Sequence, residues 1–155
     1  MKGNEKIVAF LNDALADELT AINQYMVHSE MCANWQYQRL HEAVEKRAIQ
    51  EMKHAEKLIG RILFLEGIPV VSELKPIHIG AEVASQLAND LYAETDAINA
   101  YNNGIHLAVE QSDNGTRELL ESILKDEEDH LDWLEAQRDQ IEQVGIQNYL
   151  AQQFS

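Results

Sequence analysis

Shifting the chain by 76 residues lays its second half on its first. Ala21-Ile22-Asn23 and Tyr25 fall on Ala97-Ile98-Asn99 and Tyr101, Glu18 on Glu94, Glu51 on Glu127 and His54 on His130. In each half the lone Glu precedes a Glu-x-x-His by the same 33 residues. A duplication of this kind restricts the fold to two similar units related by a pseudo-twofold axis, each completing the other. On a helix, Glu51 and His54 share one face, while Met52 is rotated about 100° from Glu51. The second half keeps Glu127 and His130 but has Glu128 where the first has Met52.

The repeat unit reads as a helical hairpin, and the chain as all-α. Asn4 is the expected N-cap of a first helix reaching roughly Asn34, and a second runs from near Tyr37 to about Leu65, where Gly67 and Pro69 stop it. The stretch 66–80 holds both prolines and reads as a long connection. A third helix is expected from about Ala81 to Gln111, with Ser112-Asp113-Asn114-Gly115 as a break. Thr116 is the expected cap of a fourth ending at Gly145, and Ile146 to Phe154 suit one short further helix. Short, short and long connections define a four-helix bundle with one long crossover.

The apolar stripes carry the chemistry. Helix one gives Leu11, Leu15, Glu18, Ile22 and Tyr25; helix two gives Leu40, Val44, Arg47, Glu51, His54 and Leu58. Helix three gives Val83, Leu87, Asp90, Glu94, Ala97 and Tyr101; helix four gives Leu120, Ile123, Glu127, His130 and Leu134, with Ile141 and Val144 beyond. Each seam is interrupted near its middle by Glu, or by Glu and His. Buried carboxylates are costly unless paired or bound to metal, and Arg47 is the one cation in these seams. Two divalent ions would balance four carboxylates and two neutral imidazoles. This is the pattern of a dinuclear carboxylate bundle, one Glu from each of two helices and Glu-x-x-His from the other two, and its ligand types suit iron or manganese. The other reading is an ion-pair network or an empty polar core.

On the metal reading Glu51 and Glu127 bridge, Glu18 and Glu94 are terminal, and His54 and His130 each give one imidazole. Tyr25, two turns beyond Glu18 on its face, is either a hydrogen-bonding partner of the ligands or an aromatic core filler. Trp133 reads as packing, with electron donation as its second possibility. The lone Cys32 excludes an internal disulfide and fits a reducing cytoplasm. A net charge of −15 argues against a nucleic-acid surface and is compatible with attracting cations. No apolar run is long enough to span a bilayer, and no secretory leader is apparent.

These residues closely resemble the bacterioferritins over essentially the whole chain, 1–155, as one ferritin-like di-iron domain. The carriers are Met1-Lys2-Gly3, Ala21-Ile22-Asn23-Gln24-Tyr25, Glu51-Met52-Lys53-His54-Ala55, Arg61-Ile62-Leu63-Phe64-Leu65-Glu66-Gly67, Asp126-Glu127-Glu128-Asp129-His130 and Asn148-Tyr149-Leu150. The resemblance implies iron storage in a hollow homo-oligomeric shell of 24 subunits. It implies two iron ions per subunit and ferroxidase activity toward Fe(II), with oxygen or hydrogen peroxide as oxidant. It also implies haem b shared between two subunits, and a small ferredoxin is a possible reductant. The family's six di-iron ligands map onto Glu18, Glu51, His54, Glu94, Glu127 and His130, and its axial haem methionine onto Met52. Ile22, Met26 and Ile49 are candidate walls of the haem pocket. Lys46 and Gln50 stand where some members carry His and Asp, which weakens the case for a separate inner-surface iron site. Ala151 replaces a frequent polar pore residue near Asn148. The other class weighed is a di-metal carboxylate oxidoreductase, such as a rubrerythrin-like peroxidase or a manganese catalase.

Overall fold

The computed structural model describes residues 1–155. Its helices are α1 (Glu5–Asn34), α2 (Gln38–Phe64), α3 (Val83–Glu110), α4 (Asn114–Val144) and α5 (Ile146–Ala151). α1 packs along α2 and α3 along α4, and residues 65–82 carry the chain from one hairpin to the other. The architecture is all-α: a ferritin-like four-helix bundle with one long crossover and a short fifth helix. No helix is long and apolar enough to cross a membrane.

Helix ends follow local chemistry, with two corrections. The Asn4 side chain accepts from the amides of Lys6 and Ile7, as an N-cap should. α4 is capped by Asp113 rather than Thr116: Asp113 accepts from the Thr116 amide and hydroxyl, while Arg61 of α2 braces the same carboxylate at 2.8 Å. The earlier acidic residue wins because it stands before the first turn and its charge suits the helix N-terminus. α2 ends at Phe64, with Leu65 as its C-cap. Glu66 takes the left-handed conformation (φ 62) and the Gly67 amide bonds back to Ile62. Gly145 (φ 83) closes α4 as expected, whereas Val144 is 51% exposed, so the apolar stripe ends before it.

Two apolar clusters flank a polar middle. Leu11, Leu15, Leu58, Ile62, Leu120 and Ile123 form the larger one at the crossover end of α2. Leu40, Val83, Leu87, Leu134, Cys32 and Tyr149 form the other, where α5 docks through the Tyr149 hydroxyl on Gln137. Each fully buried Leu or Ile stabilises by about 1.5–3 kcal/mol, which offsets the cost of the carboxylates held between the clusters.

The crossover is ordered by a polar ladder on α1. Asn12 accepts from the Val70 amide, Thr20 from Lys75, Gln24 from His78 and His28 from Gly80. These four side chains satisfy backbone donors that a non-helical segment cannot satisfy itself. Gly80 is the tightest point of the crossover, because a Cβ there would lie 2.3 Å from the Gln86 backbone nitrogen. Gly80→Ala is expected to cost about 3 kcal/mol, read as a lowered midpoint in thermal denaturation. An unchanged midpoint would contradict this packing.

Candidate metal centre

Six side chains from the four long helices meet between the apolar clusters. Glu18 comes from α1, Glu51 and His54 from α2, Glu94 from α3, and Glu127 and His130 from α4; all are 1–3% exposed. Their ligand atoms form two groups, each within 4.8 Å: Glu18, Glu51, His54 and Glu127, and Glu51, Glu94, Glu127 and His130. Glu51 and Glu127 belong to both, so the two groups share an edge made by the Glu-x-x-His carboxylates.

The imidazoles are oriented differently. His54 Nε2 lies 2.8 Å from Asp126 Oδ2, which directs Nδ1 inward to within 2.9 Å of Glu127, 3.6 Å of Glu51 and 3.7 Å of Glu18. His130 Nδ1 lies 2.8 Å from Glu94 Oε1, and its ring meets Tyr25 edge-on at 5.4 Å. Tyr25 is buried and donates its hydroxyl to Glu94 of the opposite hairpin, not to Glu18 of its own. Tyr101 donates in return to Glu18. Trp133 is half-buried, tilted 6.3 Å from His130 and packed on the Leu134 cluster, in accord with a packing role.

Six buried atoms here make no aligned hydrogen bond: Glu18 Oε2, Glu51 Oε1, His54 Nδ1, Glu94 Oε2 and both Glu127 oxygens, the 2.9 Å approach of His54 Nδ1 to Glu127 Oε1 being a charge contact only. Orphaned acceptors at this density are rare in a folded protein, since each carries its full desolvation cost. No basic side chain relieves them, and Arg47 hydrogen-bonds Gln50 at 2.7 Å instead. Burial, then the charges of Glu18 and Glu127, hold the Glu51 carboxyl well above the usual carboxylate range. Burial and Glu127 push Glu94 up to about 8. Burial alone would lower His54, but the surrounding Glu127, Glu18 and Asp126 carboxylates raise it to about 10.

These shifts set a pH dependence for protein purified in chelator. Between the ordinary Glu value of 4.5 and about 8, the folded chain binds a proton at Glu94 that the unfolded chain releases. Stability therefore falls as pH rises through that window, by up to about 1.4 kcal/mol per pH unit for each such group. Thermal melts from pH 5 to 8 check the sign; a midpoint rising with pH would contradict it.

A cavity of about 310 Å³ adjoins the centre. It is lined by Glu18, Glu51, Glu94 and Glu127 inside and by Asp17, Lys75, His78 and Asp96 toward the surface. A separate apolar groove of about 430 Å³ on the outer face of α1 and α2 is lined by Ile22, Met26, Ile49 and Met52, with Ser29, Glu30, Glu45 and Ala48. Met52 is 46% exposed there and lies in neither ligand group. Lys46 is exposed, as are Asn148 and Ala151 at the far end of the chain.

Two hairpins that pool carboxylates and histidines in the middle of one bundle define a ferritin-like protein, and the family model described as a ferritin-like domain matches residues 8–144. The bacterioferritin of Brucella melitensis is 40% identical over 149 residues, covering 96% of this chain and 92% of that protein. Those of Rhodobacter capsulatus (40%, with 96% and 92% covered) and Mycobacterium leprae (38%, with 98% and 96% covered) are similar over as much of their length. The chain belongs to the bacterioferritin family.

Proposed function

We propose that the chain is the subunit of an iron-storage protein that oxidises ferrous iron at the six-residue cluster and retains the ferric product in a hollow homo-oligomeric shell. The observation that carries this reading is the set of orphaned, buried ligand atoms at the cluster, which two divalent ions would satisfy and neutralise. Membership of the bacterioferritin family supports iron as the metal.

In this reading Glu51 and Glu127, common to both ligand groups, would hold both ions, with Glu18 and His54 holding one and Glu94 and His130 the other. Iron supplies the one-electron redox chemistry toward oxygen or peroxide. The protein contributes geometry and exclusion of bulk water. Asp126 takes the outer N–H of His54, which fixes the tautomer and makes the inward nitrogen a better donor. The protons held at Glu51, Glu94 and His54 leave when cations enter, so binding is coupled to proton release. Tyr25 steadies Glu94 from the opposite helix.

The groove around Met52 fits haem b shared between two subunits: a thioether on an apolar floor, open on the side where a second copy would close it. Met52 would hold the haem iron with its counterpart from the other subunit, and Ile22, Met26 and Ile49 would line the macrocycle. A bound haem would supply electrons for reduction of stored mineral, with a small ferredoxin as donor. The shell we propose has 24 subunits, and its compartment is the cytoplasm, in keeping with the single free thiol of Cys32.

Aerobic addition of ferrous iron in large excess over subunits tests the reading. The expected outcome is ferric iron that stays soluble and sediments with a large assembly carrying an electron-dense core. A small oligomer that turns over peroxide rapidly and leaves the iron outside would support the di-metal oxidoreductase class instead.

A further inference from the structure

Tyr101 was not among the residues expected at the centre, yet it occupies a distinctive place there. Its ring is 2% exposed, and its hydroxyl donates to Glu18 Oε1 across from α3 to α1. Tyr25 makes the reciprocal bond, from α1 to Glu94 Oε1 on α3. In both carboxylates the second oxygen, Oε2, is buried and has no partner. The two tyrosines coincide under the 76-residue shift, as do the two glutamates. Each tyrosine thus occupies one oxygen of the opposite hairpin's carboxylate and leaves the other free to face the cluster.

The symmetry is incomplete in one respect. Glu94 Oε1 also lies 2.8 Å from His130 Nδ1, whereas Tyr101 is the one hydrogen-bond partner of Glu18. Removing the Tyr25 hydroxyl leaves Glu94 held by His130. Removing the Tyr101 hydroxyl leaves Glu18 with no orienting bond.

We propose that Tyr101 is a positioning residue that fixes Glu18 for metal binding in the half of the centre built from Glu18 and His54. This rests on the two-metal reading above. The carboxylate keeps one orientation because a buried hydroxyl, itself locked by packing, consumes its other oxygen. Less freedom is then lost when a cation binds.

Anaerobic cobalt(II) titration of the metal-free assembly, followed by visible ligand-field absorption, tests this without oxidation chemistry. Tyr101→Phe should weaken one of the two cobalt ions by about tenfold, within the range for partners that orient a ligand, and leave the other nearly unchanged. Tyr25→Phe should have the smaller effect. In a Glu18→Gln background, Tyr101→Phe should add nothing, because the residue acts through Glu18. Thermal melts of the metal-free proteins report any packing loss separately. If Tyr101→Phe lowers the melting midpoint while both cobalt ions bind as in the parent, Tyr101 is a core residue and the proposal is overturned. If the parent itself takes up fewer than two cobalt ions per subunit, the two-metal reading has failed, whatever the variants do.

Discussion

Glu51→Gln is expected to abolish two-metal binding and to lower the initial rate of ferrous oxidation by more than ~100-fold, beyond what loss of an orienting partner costs. Glu51 is one of the two carboxylates common to both ligand groups, so its loss disturbs both halves of the centre. The fold is expected to survive. Burial and the neighbouring charges raise the Glu51 carboxyl and favour its neutral form in the absence of metal, and a glutamine matches that form in size. Stopped-flow oxidation and circular dichroism of the same preparation separate the two effects. A folded variant that oxidised iron at the parent rate would remove Glu51 from the centre. Lost oxidation together with lost fold would call for Glu127→Gln as the second probe.

Met52→Ala is expected to give the opposite profile. It removes the thioether from the groove on α1 and α2 without touching either ligand group. Haem uptake should be lost entirely, with no Soret band after reconstitution. Ferrous oxidation should stay within about twofold of the parent, because a half-exposed side chain outside the cluster contributes little to its geometry. Haem retained in full would exclude Met52 as its ligand. Oxidation lost along with haem would show that groove and cluster are not independent.

Much of this was legible in the residues because the duplication repeats each informative choice. Glu18 and Glu94, Glu51 and Glu127, and His54 and His130 all fall where their stripes cross the middle of the bundle, and all six are buried together. The four long helices were equally legible, since their apolar spacing is local. Features that depend on contacts between distant segments were not. The ladder from Asn12 through Thr20 and Gln24 to His28 consists of ordinary polar residues on α1 until the crossover lies against them. Asp126 stands next to Glu127 in the Asp126-Glu127-Glu128-Asp129-His130 motif, but its bond to His54 crosses from α4 to α2. The Asp113 cap is braced by Arg61 of α2, a contact that local sequence does not reveal. Tyr101 is the instructive omission: the 76-residue shift already aligned it with Tyr25, and reading the repeat for hydroxyls as well as carboxylates would have found it. Gln50, whose lack of charge weakens the case for an inner-surface iron site, accepts a hydrogen bond from Arg47, the one cation in the four apolar stripes.

On the two-metal reading, the orphaned atoms between the two hairpins hold two metal ions at once. Its most direct test is anaerobic ferrous titration of the metal-free assembly, with bound iron counted per subunit after removal of free metal. Saturation is expected at two per subunit, with protons released as binding proceeds and with Glu51→Gln failing to reach that stoichiometry. Saturation at one or none in the folded parent, or two ions still bound after Glu51 and Glu127 are both replaced by Gln, would contradict it.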